Sequence, residues 1–178
     1  MNKQQLNIKE LIKDIPDFPQ KGIIFRDITT LLNNDRGIIL IQNEINDSIN
    51  YHLTFNKVVA IEARGFIIGS LLVTKKIRPL VLARKPGKLP NEILQKKYSS
   101  EYADDTICIQ LSDISRSDNI IVVDDVLATG RTAKTTCEII ETLGGRIEAC
   151  YFLIELDQLR GREKLERLGI NVISSIHY

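Results

Sequence analysis

The sequence predicts an α/β fold with a central, mostly parallel sheet flanked by helices. Three observations predict it. Short apolar runs, rich in β-branched residues, stand at 58–61, 79–83, 120–123 and 149–154. They are continuous rather than alternating, as in strands buried on both faces. Between them lie stretches of helical period, and the connections are short. A length of 178 residues without a repeat, low-complexity tract or linker fits one domain over 1–178 with a sizeable core.

The N-terminal Met1-Asn2-Lys3-Gln4-Gln5 leads into a polar, helix-like stretch and lacks the apolar core of a signal peptide. Residues 14–30 carry Pro16, Pro19 and Gly22 and read as an ordered loop. Residues 38–53 read as a helix, because Ile38, Ile41, Ile45 and Ile49 recur at helical spacing. A strand at 58–61, a helix at 66–75 and a strand at 79–83 follow. Residues 85–105 hold Pro86, Gly87 and Pro90 and then turn polar. A loop of that length in a compact domain is functional, and here it reads as a lid. A weaker strand at 106–111 precedes the strand at 120–123. A helix at 132–143 stops at Gly144-Gly145, a strand fills 149–154, and a helix at 158–168 stops at Gly169. A weaker strand at 172–174 ends the chain.

Composition removes several function classes. The formal net charge is +1, with 43% hydrophobic and 26% charged residues. A nearly neutral chain does not bind nucleic acid or an anionic membrane by bulk charge. No apolar run approaches the ~18 residues that span a bilayer, so the cytoplasm is the expected location. Cys108, Cys137 and Cys150 are far apart and in apolar contexts, as buried reduced thiols are. Asn46-Asp47-Ser48 matches the glycosylation pattern, which has no meaning without secretion. His52 and His177 have no neighbours at metal-ligand or nucleophile spacing and read as structural or solvent-exposed.

The chemistry concentrates in Ile120–Thr132. A buried strand runs into Asp124 and Asp125 and delivers two carboxylates to its C-terminal end. Ionised carboxylates only accept hydrogen bonds, which suits ribose hydroxyls or, through water, Mg²⁺. Ala128, Thr129, Gly130, Arg131 and Thr132 follow. Gly130 permits close backbone approach, the threonines offer hydroxyls, and the next helix offers free N–H groups and a positive dipole end. The Walker A spacing is absent. Paired acids beside such a cradle point to a ligand that is both sugar and phosphate. Arg84, Lys85 and Lys88 form a cation cluster just after an apolar strand, with Pro86, Gly87 and Pro90 defining the backbone. Arg64 sits at a helix start, where a cation opposes the dipole and needs a reason to be there.

These residues carry a resemblance. The segment 122–132 resembles the phosphoribosyl-pyrophosphate (PRPP) motif of the type I phosphoribosyltransferases. Asp17-Phe18-Pro19, Gly22, Phe25-Arg26-Asp27-Ile28-Thr29, Glu62-Ala63-Arg64-Gly65-Phe66, Arg84-Lys85-Pro86-Gly87-Lys88-Leu89-Pro90 and Tyr98 with Glu101-Tyr102 narrow it. In order and spacing they resemble the adenine phosphoribosyltransferases over nearly the whole chain. The resemblance implies the type I phosphoribosyltransferase fold, with a small hood to which residues 1–34 contribute and a flexible lid loop. It implies purine salvage: adenine and PRPP give AMP and pyrophosphate, with Mg²⁺, on a homodimer. By position, Asp124 and Asp125 would hold the ribose hydroxyls and residues 128–132 the 5′-phosphate. Arg64 would face the pyrophosphate, and Arg84, with Lys85 and Lys88, would reach that of the neighbouring subunit. Phe25 and Leu156 would sandwich the base while the backbone of Ile24, Phe25 and Arg26 reads its edge. Glu101 and Tyr102 would act from the lid, Glu101 on the base's proton. The sequence singles out no protein ligand for Mg²⁺, most of whose ligands would come from PRPP and water.

There is one departure. The family usually has Thr-Gly-Gly-Thr where this chain has Thr129-Gly130-Arg131-Thr132. Arg131 either points to solvent or adds a contact to phosphate or leaving group. Two other readings share the PRPP motif: a transferase for another purine base, which the segments at 25–27 and 84–90 disfavour, and a non-catalytic PRPP-responsive regulator. The second needs a nucleic-acid surface, for which this chain has neither a basic balance nor a spare domain.

Overall fold

The computed structural model of the chain describes residues 7–49, 53–99 and 104–178. The chain divides into two compact units, Met1–Asn46 and Asp47–Tyr178.

The first unit holds α1 (Ile8–Leu11), β1 (Lys13–Pro16), β2 (Ile24–Asp27), α2 (Thr29–Leu32) and all but the end of α3 (Gly37–Ser48). The Asn7 side chain accepts from the Lys9 N–H and caps α1. The expected loop at 14–30 is instead mostly a hairpin, with β1 antiparallel to β2 and Pro16 opposite Ile24. Its prolines concealed it. Pro16 ends its strand, where a missing N–H costs least, and Pro19 follows a cis peptide bond inside the turn. Gly22 has φ +88°, and its N–H donates to Asp17 Oδ1 at 2.7 Å, which closes the turn. Ile41 and Ile45 of α3 are buried, while Ile38 is 42% exposed, so the helical face extends less far than its isoleucines suggested.

The second unit holds β3 (Lys57–Ile61), α4 (Gly65–Lys76), β4 (Leu80–Ala83), β5 (Ile93–Ser99), β6 (Asp104–Gln110), β7 (Asn119–Leu127), α5 (Arg131–Thr142), β8 (Arg146–Glu155), α6 (Gly161–Glu166) and β9 (Val172–His177). Five strands form one parallel sheet in the order β4-β3-β7-β8-β9, as the continuous apolar runs predicted. Alternation along the strands divides its two faces. Ala60 and Val123 face α4, where Gly69 leaves so little room that a Cβ would lie 2.8 Å from that of Ala60 and 3.2 Å from Val123 Cγ2. Val59, Ile61, Ile120 and Val122 join the core cluster that contains Ala133, Cys137, Ile139 and Ile140 of α5. The buried Thr135 and Thr136 of α5 donate to the carbonyls of Arg131 (3.0 Å) and Thr132 (2.9 Å), so their hydroxyls are satisfied within the helix.

The expected loop at 85–105 is also corrected. Its second half contains β5, which pairs antiparallel with β6 from Ile93↔Gln110 to Ser99↔Asp104. The weak strand at 106–111 therefore belongs to this two-stranded arm rather than to the main sheet. Arg84 and Cys108 exchange backbone hydrogen bonds of 2.9 and 2.8 Å, anchoring the arm to the end of β4. The helix expected at 158–168 is shorter: a 3-10 turn at Asp157–Leu159 precedes α6. The strand at 172–174 extends to His177.

Candidate active site

β7 is the central strand of the sheet, and it runs through the acid pair instead of stopping before it. Asp125 is 4% exposed; Asp124 is half-buried, and its Oδ1 accepts the Asp125 N–H at 2.9 Å. Neighbouring residues on a strand face opposite ways, yet one turn reaches both. That turn joins β3 to α4. Arg64 Nε lies 2.7 Å from Asp125 Oδ2, and a Cβ on Gly65 would lie 2.9 Å from Asp124 Oδ1. Only glycine lets the turn approach the acids so closely. The Arg64 contact is a charge pair: its N–H is not aimed at the oxygen, so Asp125 Oδ2 is buried without a directed hydrogen bond. Burial pushes the Asp124 carboxyl well above the ordinary range, and the neighbouring Asp125 charge adds to this. Burial raises Asp125 too, against the pull of Arg64.

After β7 the chain turns through residues 128–130 into α5. Gly130 has φ +71°, and no side chain caps the helix, so its first-turn N–H groups have neither an intrahelical nor a capping partner. This is an anion cradle: the turn's N–H groups and the dipole's positive end together favour negative charge. The loop is braced from behind by α6. A Cβ on Gly130 would lie 2.9 Å from Gly161 O, one on Gly161 would overlap Ala128 O, and Lys164 Nζ donates to Thr129 O.

Arg84 and Lys85 of the basic cluster are paired in this structure. Arg84 reaches Glu62 through Nε (3.2 Å) and Nη2 (3.4 Å), its Nη1 donates to Lys88 O at 3.2 Å, and its guanidinium lies 5.7 Å from the centroid of the Phe66 ring. The Lys85 N–H donates to Glu62 Oε2 at 2.9 Å. Burial raises the Glu62 carboxyl, but the Lys85 N–H and Arg84 outweigh it and hold it below its ordinary value. Lys85 Nζ lies 2.8 Å from Asp105 Oδ2, a hydrogen bond that raises the lysine's pKa. Lys88 is exposed. Across the α5 start, Thr132 Oγ1 lies 3.2 Å from Tyr98 Oη, and Arg131 Nη1 donates to Ser99 O at 2.9 Å. The Arg131 guanidinium therefore rests on a carbonyl of the arm.

At the far side of β7, the Leu156 N–H donates to Leu127 O at 2.9 Å, which holds the half-buried Leu156 beside the strand's end. In the first unit, Phe25 packs edge-on against Phe18 with centroids 5.2 Å apart, Ile24 is 51% exposed, and Arg26 pairs with Asp14. Glu101, Tyr102 and His52 lie outside the described residues.

Sequence reasoning gave no role to several partners. Glu62 and Tyr98 stood inside quoted motifs, yet nothing local revealed that they hold Arg84 and face Thr132. Asp105 and Lys164 carried no signal. Glu155 is buried and bound by Arg162 through Nη2 (2.6 Å) and Nε (3.0 Å), and the parallel register sets it opposite His177. His177 Nδ1 lies 2.8 Å from Asp157 Oδ1, so Glu155, Asp157 and His177 converge although His177 is 20 residues beyond Asp157.

Residues 27–176 match the phosphoribosyl transferase domain family. The chain is 43% identical over 178 residues to the adenine phosphoribosyltransferase of Thermosipho melanesiensis, with all of both chains covered. The crystal structure of adenine phosphoribosyltransferase from Thermoanaerobacter pseudethanolicus superimposes with a TM-score of 0.91 at 38% identity, covering 96% of this chain and 98% of that one. That of the Giardia lamblia enzyme, complexed with 9-deazaadenine, gives a TM-score of 0.89 at 34% identity over 96% of each chain.

Proposed function

This chain belongs to the phosphoribosyltransferase family, and from that premise we propose how its site transfers the phosphoribosyl group of PRPP to adenine, giving AMP and pyrophosphate in purine salvage. It is a pentosyltransferase. The observation that carries the reading is the buried acid pair of β7 beside the uncapped start of α5, in a chain similar over its full length to adenine phosphoribosyltransferases. The Giardia lamblia structure, which holds an adenine analogue, supports adenine as the base.

Each role follows from what the residue offers. Asp124 and Asp125 accept from the ribose hydroxyls. The N–H groups and hydroxyls of 128–132 take the 5′-phosphate. Arg64, close to Asp125, faces the departing pyrophosphate. Arg84, Lys85 and Lys88 add cationic charge to the pyrophosphate of a neighbouring subunit in a homodimer, exchanging Glu62 and Asp105 for the ligand. Ile24, Phe25 and Arg26, and Leu156, are assigned to base recognition, as contributions to a single phosphoribosyltransferase domain.

The reaction is an in-line displacement at the anomeric carbon with an oxocarbenium-like transition state. A ring nitrogen of adenine bonds to that carbon as the carbon–oxygen bond to pyrophosphate breaks. Glu101, with Tyr102 next to it, handles the proton of the base's imidazole ring. Binding both substrates in register supplies much of the acceleration.

Mg²⁺ belongs to this reading. The donor set fits a cation held indirectly: hard carboxylate oxygens on adjacent residues, with the buried Asp125 Oδ2 lacking a directed hydrogen bond. Bound with PRPP, Mg²⁺ would screen the charge of the leaving pyrophosphate. A cytoplasmic setting is part of the proposal, and the buried thiols of Cys108, Cys137 and Cys150 suit it. Among the described residues no helix is long and apolar enough to cross a membrane. Chromatography of a mixture of the chain, PRPP, Mg²⁺ and adenine tests the reading: AMP and pyrophosphate accumulate in equal amounts, and failure of both to form refutes it.

A further inference from the structure

We propose that Arg131 is a positioning residue for the transfer, fastening the end of β5 to the phosphate-binding first turn of α5 through its bond to the Ser99 carbonyl. The inference rests on the transferase reading above. Arg131 opens α5, where its charge opposes the helix dipole, and its exposed side chain reaches back to a carbonyl 32 residues earlier at 2.9 Å.

The geometry of β5 explains why a backbone acceptor is used. Lys96 and Tyr98 share one strand face and meet α5: Lys96 Nζ lies 2.5 Å from Glu138 Oε2, and Tyr98 Oη lies 3.2 Å from Thr132 Oγ1. The side chain of Ser99 faces the other way, so only its carbonyl is available to the helix. The Lys96–Glu138 pair is partly exposed and contributes little. The Arg131 bond is charge-assisted and lies nearest the end of the strand. Together the three contacts stitch β5 along α5 from Arg131 to Glu138. The turn that receives the phosphate and the strand that leads into 100–103, with Glu101, are thus set at a fixed distance. With its guanidinium on Ser99, Arg131 acts on alignment of the reacting groups more than on PRPP capture.

Kinetics and amide hydrogen exchange on Arg131→Ala and Arg131→Lys test this. Arg131→Ala should lower kcat roughly tenfold, the worth of one charge-assisted bond, while KM for PRPP changes much less. Amide exchange in β5 should accelerate by about the same factor in the protein without ligand. Arg131→Lys, which keeps one donor, should restore most of both. Unchanged exchange in Arg131→Ala overturns the proposal, as does faster exchange with unchanged kcat. A loss confined to KM for PRPP, steeply dependent on salt, also overturns it by making Arg131 a direct phosphate ligand. If the wild-type chain makes no AMP, the transferase reading fails by itself, and the exchange data still decide whether the tie exists.

Discussion

At the scale of single residues, the site stores its cost in Asp124. The raised carboxyl means that, from the ordinary carboxylate pKa upward, the folded chain keeps a proton that the unfolded chain has lost. Stability therefore declines as pH rises through that window. Asp124→Asn removes the titration and still offers an oxygen to the Asp125 N–H. Thermal melts should show the variant more stable than wild type at pH 8, by about 2–4 °C for each kcal/mol relieved, with the gain shrinking toward pH 4. Its kcat/KM for PRPP should fall roughly 10- to 100-fold, because the amide oxygen stays on the Asp125 N–H and the amide NH2 cannot accept a ribose hydroxyl. A variant that melts lower at every pH contradicts the account. Glu101→Ala should lower kcat much more than PRPP affinity, and single-turnover assays showing an unchanged kcat remove its proton role. Asp124 and Asp125 were legible in the sequence because two acids directly after an apolar strand have few other uses. Their partners were not. Arg64 drew notice as a cation at a helix start and, by resemblance, as facing the pyrophosphate, but nothing local paired it with Asp125, and no local pattern pairs Asp105 with Lys85 across 20 residues.

At the scale of elements, periodicity identified every strand of the parallel sheet, because strands buried on both faces read as unbroken apolar runs. It failed for the two hairpins. β1 and β5 are short, polar or proline-bearing, with burial patterns that show no clean alternation. Their pairing partners, β2 and β6, define them more than their own residues do. Bracing of the loop at 128–130 by α6 was equally hidden, since the contact of Gly130 with Gly161 joins residues 31 apart. It is testable. A Cβ on Gly161 would overlap Ala128 O, so Gly161→Ala must push the loop aside. The overpacking should destabilise the chain by about 1–3 kcal/mol, and isothermal titration should show weaker PRPP binding. Wild-type affinity in a folded Gly161→Ala protein contradicts the bracing role.

At the scale of the whole molecule, the proposed homodimer makes each active site a joint product, with Arg84 acting across the interface. In this structure Arg84 is held by Glu62 of its own chain. Mixed dimers of Arg84→Ala and Asp124→Asn chains separate the possibilities. If Arg84 acts in trans, each mixed dimer contains one intact site, and activity rises when the two weakened proteins are unfolded and refolded together. If it acts in cis, the mixture gains nothing over the separate variants. Neither composition nor periodicity could suggest this arrangement, because an interface leaves no local pattern; motif resemblance alone implied it. The central claim is narrower and concerns what the assembled site does. Steady-state kcat/KM, measured side by side for adenine, hypoxanthine, guanine and xanthine with PRPP and Mg²⁺, tests it most directly. The account predicts AMP formation from adenine, dependent on Mg²⁺, with the other bases slower by orders of magnitude. Equal or faster turnover of any other base, or no turnover of adenine, would contradict it.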